Sequence, residues 1–186
     1  RTAGTWGNSI GVSICPSATA YEQHMGTDNL VNGAASAGAT TIAVDDADKA
    51  NFAFNVGDLI SFSSANSSSD VTAFAHLSGD EGNEYEVTGI STNTLTIRLK
   101  DDPNGAGLKA AIADDSFIRR RWRFYDLFDG APGTSDWATA NGRGTGDELH
   151  IAVYDATGDI TGYDNDVAGG RTSSAIEIYG NVSKNP

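Results

Sequence analysis

From Asn8 to Cys15 small polar and apolar residues alternate. Ile10, Val12 and Ile14 share one side and Ser9, Gly11 and Ser13 the other, which predicts a half-buried strand. Residues 16 to 38 are turn-rich, with a short helix predicted around Ala18 to His24. Further strands are predicted at Thr41–Val44, Val56–Phe62, Glu84–Ile90 and Leu95–Leu99, the last two joined as a hairpin through Ser91-Thr92-Asn93-Thr94. In that hairpin Tyr85 and Val87 face one way, as do Leu95, Ile97 and Leu99. Asp101-Asp102-Pro103-Asn104-Gly105 reads as a turn, and Leu108–Asp115 as one or two helical turns. Phe117–Phe128 reads as a strand with Ile118, Arg120, Trp122 and Phe124 on one side and Arg119, Arg121 and Arg123 on the other. Leu149, Ile151 and Val153 mark another strand, and Ile176 and Ile178 a last one.

These elements predict a mainly β chain, an antiparallel β-sandwich with a small β-barrel inserted into it. The sandwich is assigned to residues 1–37 and 101–186, and the barrel, with its Ser-rich excursion from Ser63 to Ser69, to residues 38–100. Between the arginine strand and the strand that starts at Asp147-Glu148-Leu149 lies Ala131-Pro132-Gly133-Thr134-Ser135. Pro132 and Gly133 have the side chains of a type II turn, with a positive φ expected at Gly133. Such a turn places strands and does no chemistry.

Composition narrows the function classes. Hydrophobic residues at 39% and charged residues at 20% support a packed core. A net charge of −13 argues against nucleic acid or an anionic membrane as partner. The single cysteine, Cys15, excludes a disulfide framework and an all-cysteine metal site. No run reaches the length of a membrane span. A start at Arg1-Thr2-Ala3-Gly4 without Met and an end at Ser183-Lys184-Asn185-Pro186 point to a portion of a longer polypeptide.

Catalytic and ligand motifs are sparse. His24, His76 and His150 lie far apart with no metal-type spacing and read as surface or turn residues. There is no G-x-S-x-G elbow. Asp155, Asp159, Asp164 and Asp166 crowd two turns, but the EF-hand-like start at Asp164 fails at Ala168 and at Ala175. Gly142-Arg143-Gly144-Thr145-Gly146 lacks the lysine and helix of a phosphate loop. No cofactor or metal is expected. Arg119, Arg121 and Arg123 stand out in an acidic chain: on a strand they project about 7 Å apart. Like charges so placed call for carboxylates, on an adjacent strand or on a neighbouring copy, and the three are candidate subunit contacts.

Four stretches in order resemble one family. Gly4-Thr5-Trp6-Gly7-Asn8 is similar to the G-x-W-G-N opening of contractile tail sheath proteins of myovirus-type bacteriophages. Phe124 to Trp137, with Pro132, Gly133, Thr134 and Ser135, resembles their aromatic, APGTS-type stretch. Asp147 to Gly162, opening on Asp147-Glu148, resembles their D-E-x-H-V-V-V-x-D-x-x-G-x-I-x-G strand and hairpin. Ile176 to Lys184 is similar to their V-x-E-x-x-x-x-L-S-K ending, with Val182 at the usual Leu. Departures are the unmatched stretch Gly38–Lys100 and Arg171-Thr172-Ser173-Ser174 before the last strand.

The resemblance implies a structural, non-enzymatic role for the middle portion of an α+β multidomain subunit. Such subunits stack as hexameric rings around an inner tail tube in the virion tail, after assembly in the bacterial cytoplasm. They contract on a baseplate signal to drive the tube through the host envelope. It implies that Trp6, Gly7, Asn8, Pro132, Gly133, Thr134, Ser135, Asp147 and Glu148 are scaffold residues. Two other classes fit the residues alone. One is a carbohydrate-binding β-sandwich using Trp137, Tyr163 and Tyr179. The other is a glycosidase with a carboxylate pair drawn from Glu148, Asp155 and Asp159, which would need a separation of roughly 5 to 9.5 Å.

Overall fold

A computed structural model of the chain describes residues 5–64, 76–100, 102, 105–162 and 174–184, apart from the side chains of residues 5 and 6. The Trp6 side chain, Tyr163, Asp164, Asp166, Arg171 to Ser173 and most of the Ser-rich excursion lie outside the described residues. The fold is mainly β, with two antiparallel sheets. The chain divides into two compact units: residues 1–21 with 124–186, and residues 22–123.

In the first unit a 3-10 turn at Thr5–Ser9 leads into β1 (Ile10–Cys15), and α1 (Ala18–Tyr21) follows with Ser17 accepting the Ala20 N–H at 3.2 Å. After the second unit come a 3-10 turn at Tyr125–Leu127, α2 (Asp136–Asn141), β8 (Glu148–Asp155) and β9 (Ala175–Ser183). The sheet order is β1-β8-β9, with Gly11 opposite Tyr154 and Val12 opposite Val153. Gly11 is required by close approach, because a Cβ there would stand 2.4 Å from the Tyr154 ring. That ring packs on Phe124, centroids 5.0 Å apart.

The alternation of β1 is as the sequence predicts, but its apolar side is the open one. Ile10, Val12 and Ile14 are 47%, 59% and 54% exposed, and Tyr179 and Val182 continue the same face on β9. The buried side carries Cys15, His150 and Ala152. Period two tells which residues share a face; it does not tell which face is covered.

The second unit holds β2 (Glu22–His24), β3 (Thr41–Ala43), β4 (Leu59–Ser63), β5 (Tyr85–Ser91), β6 (Thr94–Leu99) and β7 (Phe117–Arg121). They form one six-stranded sheet in the order β2-β7-β4-β5-β6-β3. One face carries the core: Ile60, Phe62, Tyr85, Val87, Leu95, Ile97 and Ile118, packed with Met25, Val31, Ile42, Val44, Phe54, Leu108 and Ile112. Burial of this many large aliphatic and aromatic side chains, each contributing about 1.5–3 kcal/mol, is the main favourable contribution to the unit's folding.

Three expectations are corrected here. The inserted unit runs from Glu22 to Arg123 instead of 38–100, because β2 and β7 pair with each other and β7 pairs with β4. Its sheet is open, with β2 and β3 as its ends, so it is not a closed barrel. Leu108–Asp115 is irregular instead of helical, with a bend at 109–110 and a turn at 114–115: Leu108 and Ile112 exchange backbone bonds with the 35–39 stretch, and both side chains are buried in the core.

Candidate functional site

Gly133, Thr134, Ser135, Asp147 and Glu148, from two of the sequence motifs of the first unit, meet in one hydrogen-bonded node at the start of β8. Asp147 is 8% exposed. Its Oδ1 accepts the Ser135 N–H at 2.8 Å, and its Oδ2 accepts the Ser135 hydroxyl at 2.8 Å and the Ser183 hydroxyl at 2.6 Å. The Ser135 Oγ also accepts the Ala138 N–H at 3.1 Å, which caps α2. Glu148 Oε2 accepts the Gly133 N–H at 2.9 Å, while its own N–H donates to the Gly133 carbonyl at 3.2 Å. Thr134 Oγ1 accepts the Gly146 N–H at 2.9 Å. Lys184 donates its N–H to the Asp147 carbonyl at 2.7 Å, and its ammonium to the Pro16 and Gly146 carbonyls at 2.9 Å each.

Gly133 has no positive φ, so the expected type II turn is not formed. Pro132 to Ser135 instead runs extended along the first residues of β8, strapped there by the two carboxylates. Asp and Glu, adjacent in sequence, supply acceptors to two different N–H groups of that strap. Gly7 and Asn8 are exposed at the far side of β1. The neighbouring Ser9 donates its hydroxyl to Asp159 Oδ2 at 2.8 Å and accepts the Ala156 N–H on its carbonyl at 2.6 Å.

Asp155 is fully buried and serves as the hub of the turn after β8. Its oxygens accept N–H groups from Thr157, Gly158, Ile160 and Thr161 and the Thr161 hydroxyl, at 2.7 to 3.3 Å. Gly158 sits at φ +81°, the left-handed region the turn needs. Burial pushes the Asp155 carboxyl up, but the bonds from Thr161, Ile160 and Thr157 act the other way and hold it below the ordinary carboxylate range. Its lone pairs are committed to backbone, and Glu148 is committed to Gly133.

His150, expected at the surface, is 2% exposed. Its Nε2–H donates to the Gly130 carbonyl at 2.8 Å and its Nδ1 accepts the Asn181 N–H at 3.1 Å, the pattern of a neutral imidazole. The ring stacks on Phe128 at 4.3 Å and meets the edge of Tyr21 at 6.0 Å. A cavity of about 360 Å³ opens beside it, lined by Phe128, Gly130, Ala131, Ile178 and Asn181. A lone polar position between apolar neighbours gave no sign of this; the stacked Phe128 is twenty-two residues away in sequence.

In the second unit the arginine row pairs with carboxylates inside the sheet, the adjacent-strand alternative for Arg119, Arg121 and Arg123. Strand register places Glu22, Arg121, Leu59, Glu86 and Arg98 in one row across five strands, on the face opposite the core. Arg121 Nε donates to Glu22 Oε2 at 2.8 Å and its Nη1 to Glu84 Oε1 at 3.0 Å. Arg98 grips Glu86 at 2.7 Å, and Lys100 meets Glu84 at 3.0 Å. Arg123 reaches Glu86 at 3.5 Å, and Arg119 reaches Glu22 at 3.8 Å and donates to Ser61 at 3.1 Å. Arg120, from the other face, pairs with Asp58 at 3.4 Å.

Among the described residues, the exposed aromatics include Trp137 on α2, with the Arg143 guanidinium 5.9 Å from its ring, and Tyr179 on β9. Among the described residues, no group of three or more His, Cys, Asp or Glu is placed to hold a metal ion. Among them, too, no helix is long and apolar enough to cross a membrane. Comparison with known proteins finds no matching family model and no matching curated protein.

Proposed function

We propose that this chain is part of the structural subunit of a contractile bacteriophage tail sheath. The observation that carries the reading is the node at Asp147. The Pro132–Ser135, Asp147–Glu148 and Ser183–Lys184 segments are separate in sequence and resemble the same family, and here they satisfy one another's hydrogen bonds. Residues that depend on each other in this way form a scaffold, and their side-chain groups are occupied by the fold.

The open aliphatic face of the β1-β8-β9 sheet supports the same reading. Five large apolar side chains in a contiguous array are costly to leave in water and suit a surface that packs in an assembly. In such a sheath the chain is repeated in stacked hexameric rings, surrounding the tail tube and answering to the baseplate, while motion falls at interfaces between subunits.

The test is immunogold electron microscopy of phage particles from the encoding genome, with antibody raised against this chain. Regular labelling along the tail's full length is expected. Labelling confined to fibres or capsid, or a chain that binds glycans on an array and marks no tail, would overturn the reading.

A further inference from the structure

The chain enters and leaves the second unit through paired strands. β2 begins at the first residue of that unit and β7 ends two residues before its last, and only three residue pairs join them: Glu22 with Arg121, Gln23 with Arg120, His24 with Arg119. We propose that this short stem is an acid-sensitive joint, in which His24 and His76 share a charged cluster with Arg119 and loosen the pairing of β2 with β7 when they take up protons.

The geometry comes from register. His24 stands directly opposite Arg119 on one side, and Ser61 of β4 stands opposite it on the other. His76 bridges Ser63, two residues along β4 on the same face. The charged groups around the two imidazoles are Arg119 and Arg121 on β7, Glu22 on β2, and Asp80 and Glu84 in the approach to β5. Lys100 on β6 is paired with Glu84, and Glu86 on β5 with Arg98 and Arg123. Glu22 already answers two guanidiniums, Arg119 and Arg121. Two imidazolium charges added beside them meet more cations than the local carboxylates balance.

Both histidines are held below their ordinary value of 6.5, by burial first and by Arg119 second. The sign follows from linkage. A group whose value is depressed in the closed form takes its proton first in the opened form. The stem is therefore steady above about pH 6.5 and weakens as pH falls below it, until the closed form is protonated too. Asp80, which burial holds above the ordinary carboxylate range, works in the opposite direction at still lower pH, since the closed form protonates it first. A three-pair edge strand is also where local opening is easiest.

The test is amide hydrogen exchange of the whole chain at pH 7.5 and 5.5, corrected for intrinsic rates, with the β5–β6 hairpin as internal reference. The β2–β7 amides should open severalfold more at the lower pH, because both histidines take their protons more readily in the opened form, while β5–β6 changes little. In the double variant His24→Gln, His76→Gln the difference between stem and hairpin should vanish. Equal responses of stem and hairpin, or an undiminished response in the double variant, would overturn the proposal. Ring-proton titration of the unaltered chain decides independently of the variant: midpoints below 6.5 for both histidines are expected, and either at or above 6.5 sinks it.

Discussion

Ser135 and Asp147 are joined twice: the serine N–H and its hydroxyl each donate to a different oxygen of the same carboxylate, at 2.8 Å. One side chain thus fixes the start of α2 and the start of β8 together. Removing the carboxylate in Asp147→Ala takes the acceptor from both donors of the half-buried Ser135 and from the hydroxyl of the exposed Ser183. The expected loss is about 2–4 kcal/mol, read as a lower urea midpoint with unchanged slope. Ser135→Ala should cost about 1 kcal/mol through the cap alone. The double variant should lose less than the sum, since both changes break the same bonds.

Arg121 lies between Glu22 and Glu84 with all three side chains largely out of solvent. Arg121→Ala removes the cation shared by the two carboxylates and leaves Glu22 with Arg119 and Glu84 with Lys100, at an expected cost of about 1.5–3 kcal/mol to the second unit. Arg121→Glu should prevent that unit from folding. Circular dichroism melting of the variants checks this; a charge reversal that melts with the unaltered chain would show that the row is not held internally.

Val12 and Ile14 are exposed on the aliphatic face of β1. Replacing either by Thr should leave the urea midpoint within about 0.5 kcal/mol of its starting stability, as for other surface changes. The same changes should lower self-association seen by sedimentation velocity. A fall in stability without a change in association would mean that the face is covered within the monomer.

Asp155 sets an acid limit for the first unit. Its carboxyl is held below the ordinary range when folded, so its contribution is fully present above the unfolded value of 3.8 and disappears as pH falls through the folded value beneath it. Asp155→Asn should lower the midpoint at pH 7 and flatten the decline below pH 3.8, which a pH series of urea titrations reads directly.

The strands were legible because alternation and β-branched content survive in short windows: β1, β5, β6 and β8 fall where the pattern places them within one or two residues. The bounds of the second unit were not, because Glu22 and Arg121 pair across 99 residues, and nothing local marks a strand of three residues as half of a stem. Leu108–Asp115 misleads for a related reason. Its apolar spacing suits a helical turn, but its backbone bonds go to residues more than sixty positions earlier. The Pro132-Gly133 pair carries turn chemistry, but the acceptor on Glu148 overrides it. Of the node, the sequence showed its members and their order; that a single carboxylate gathers them became visible only in three dimensions.

Because residues 22 and 121 stand face to face, the stretch between them closes on itself. For the first unit, the points where the chain departs and returns stand a strand's width apart, set by that one pairing and not by the length of what lies between.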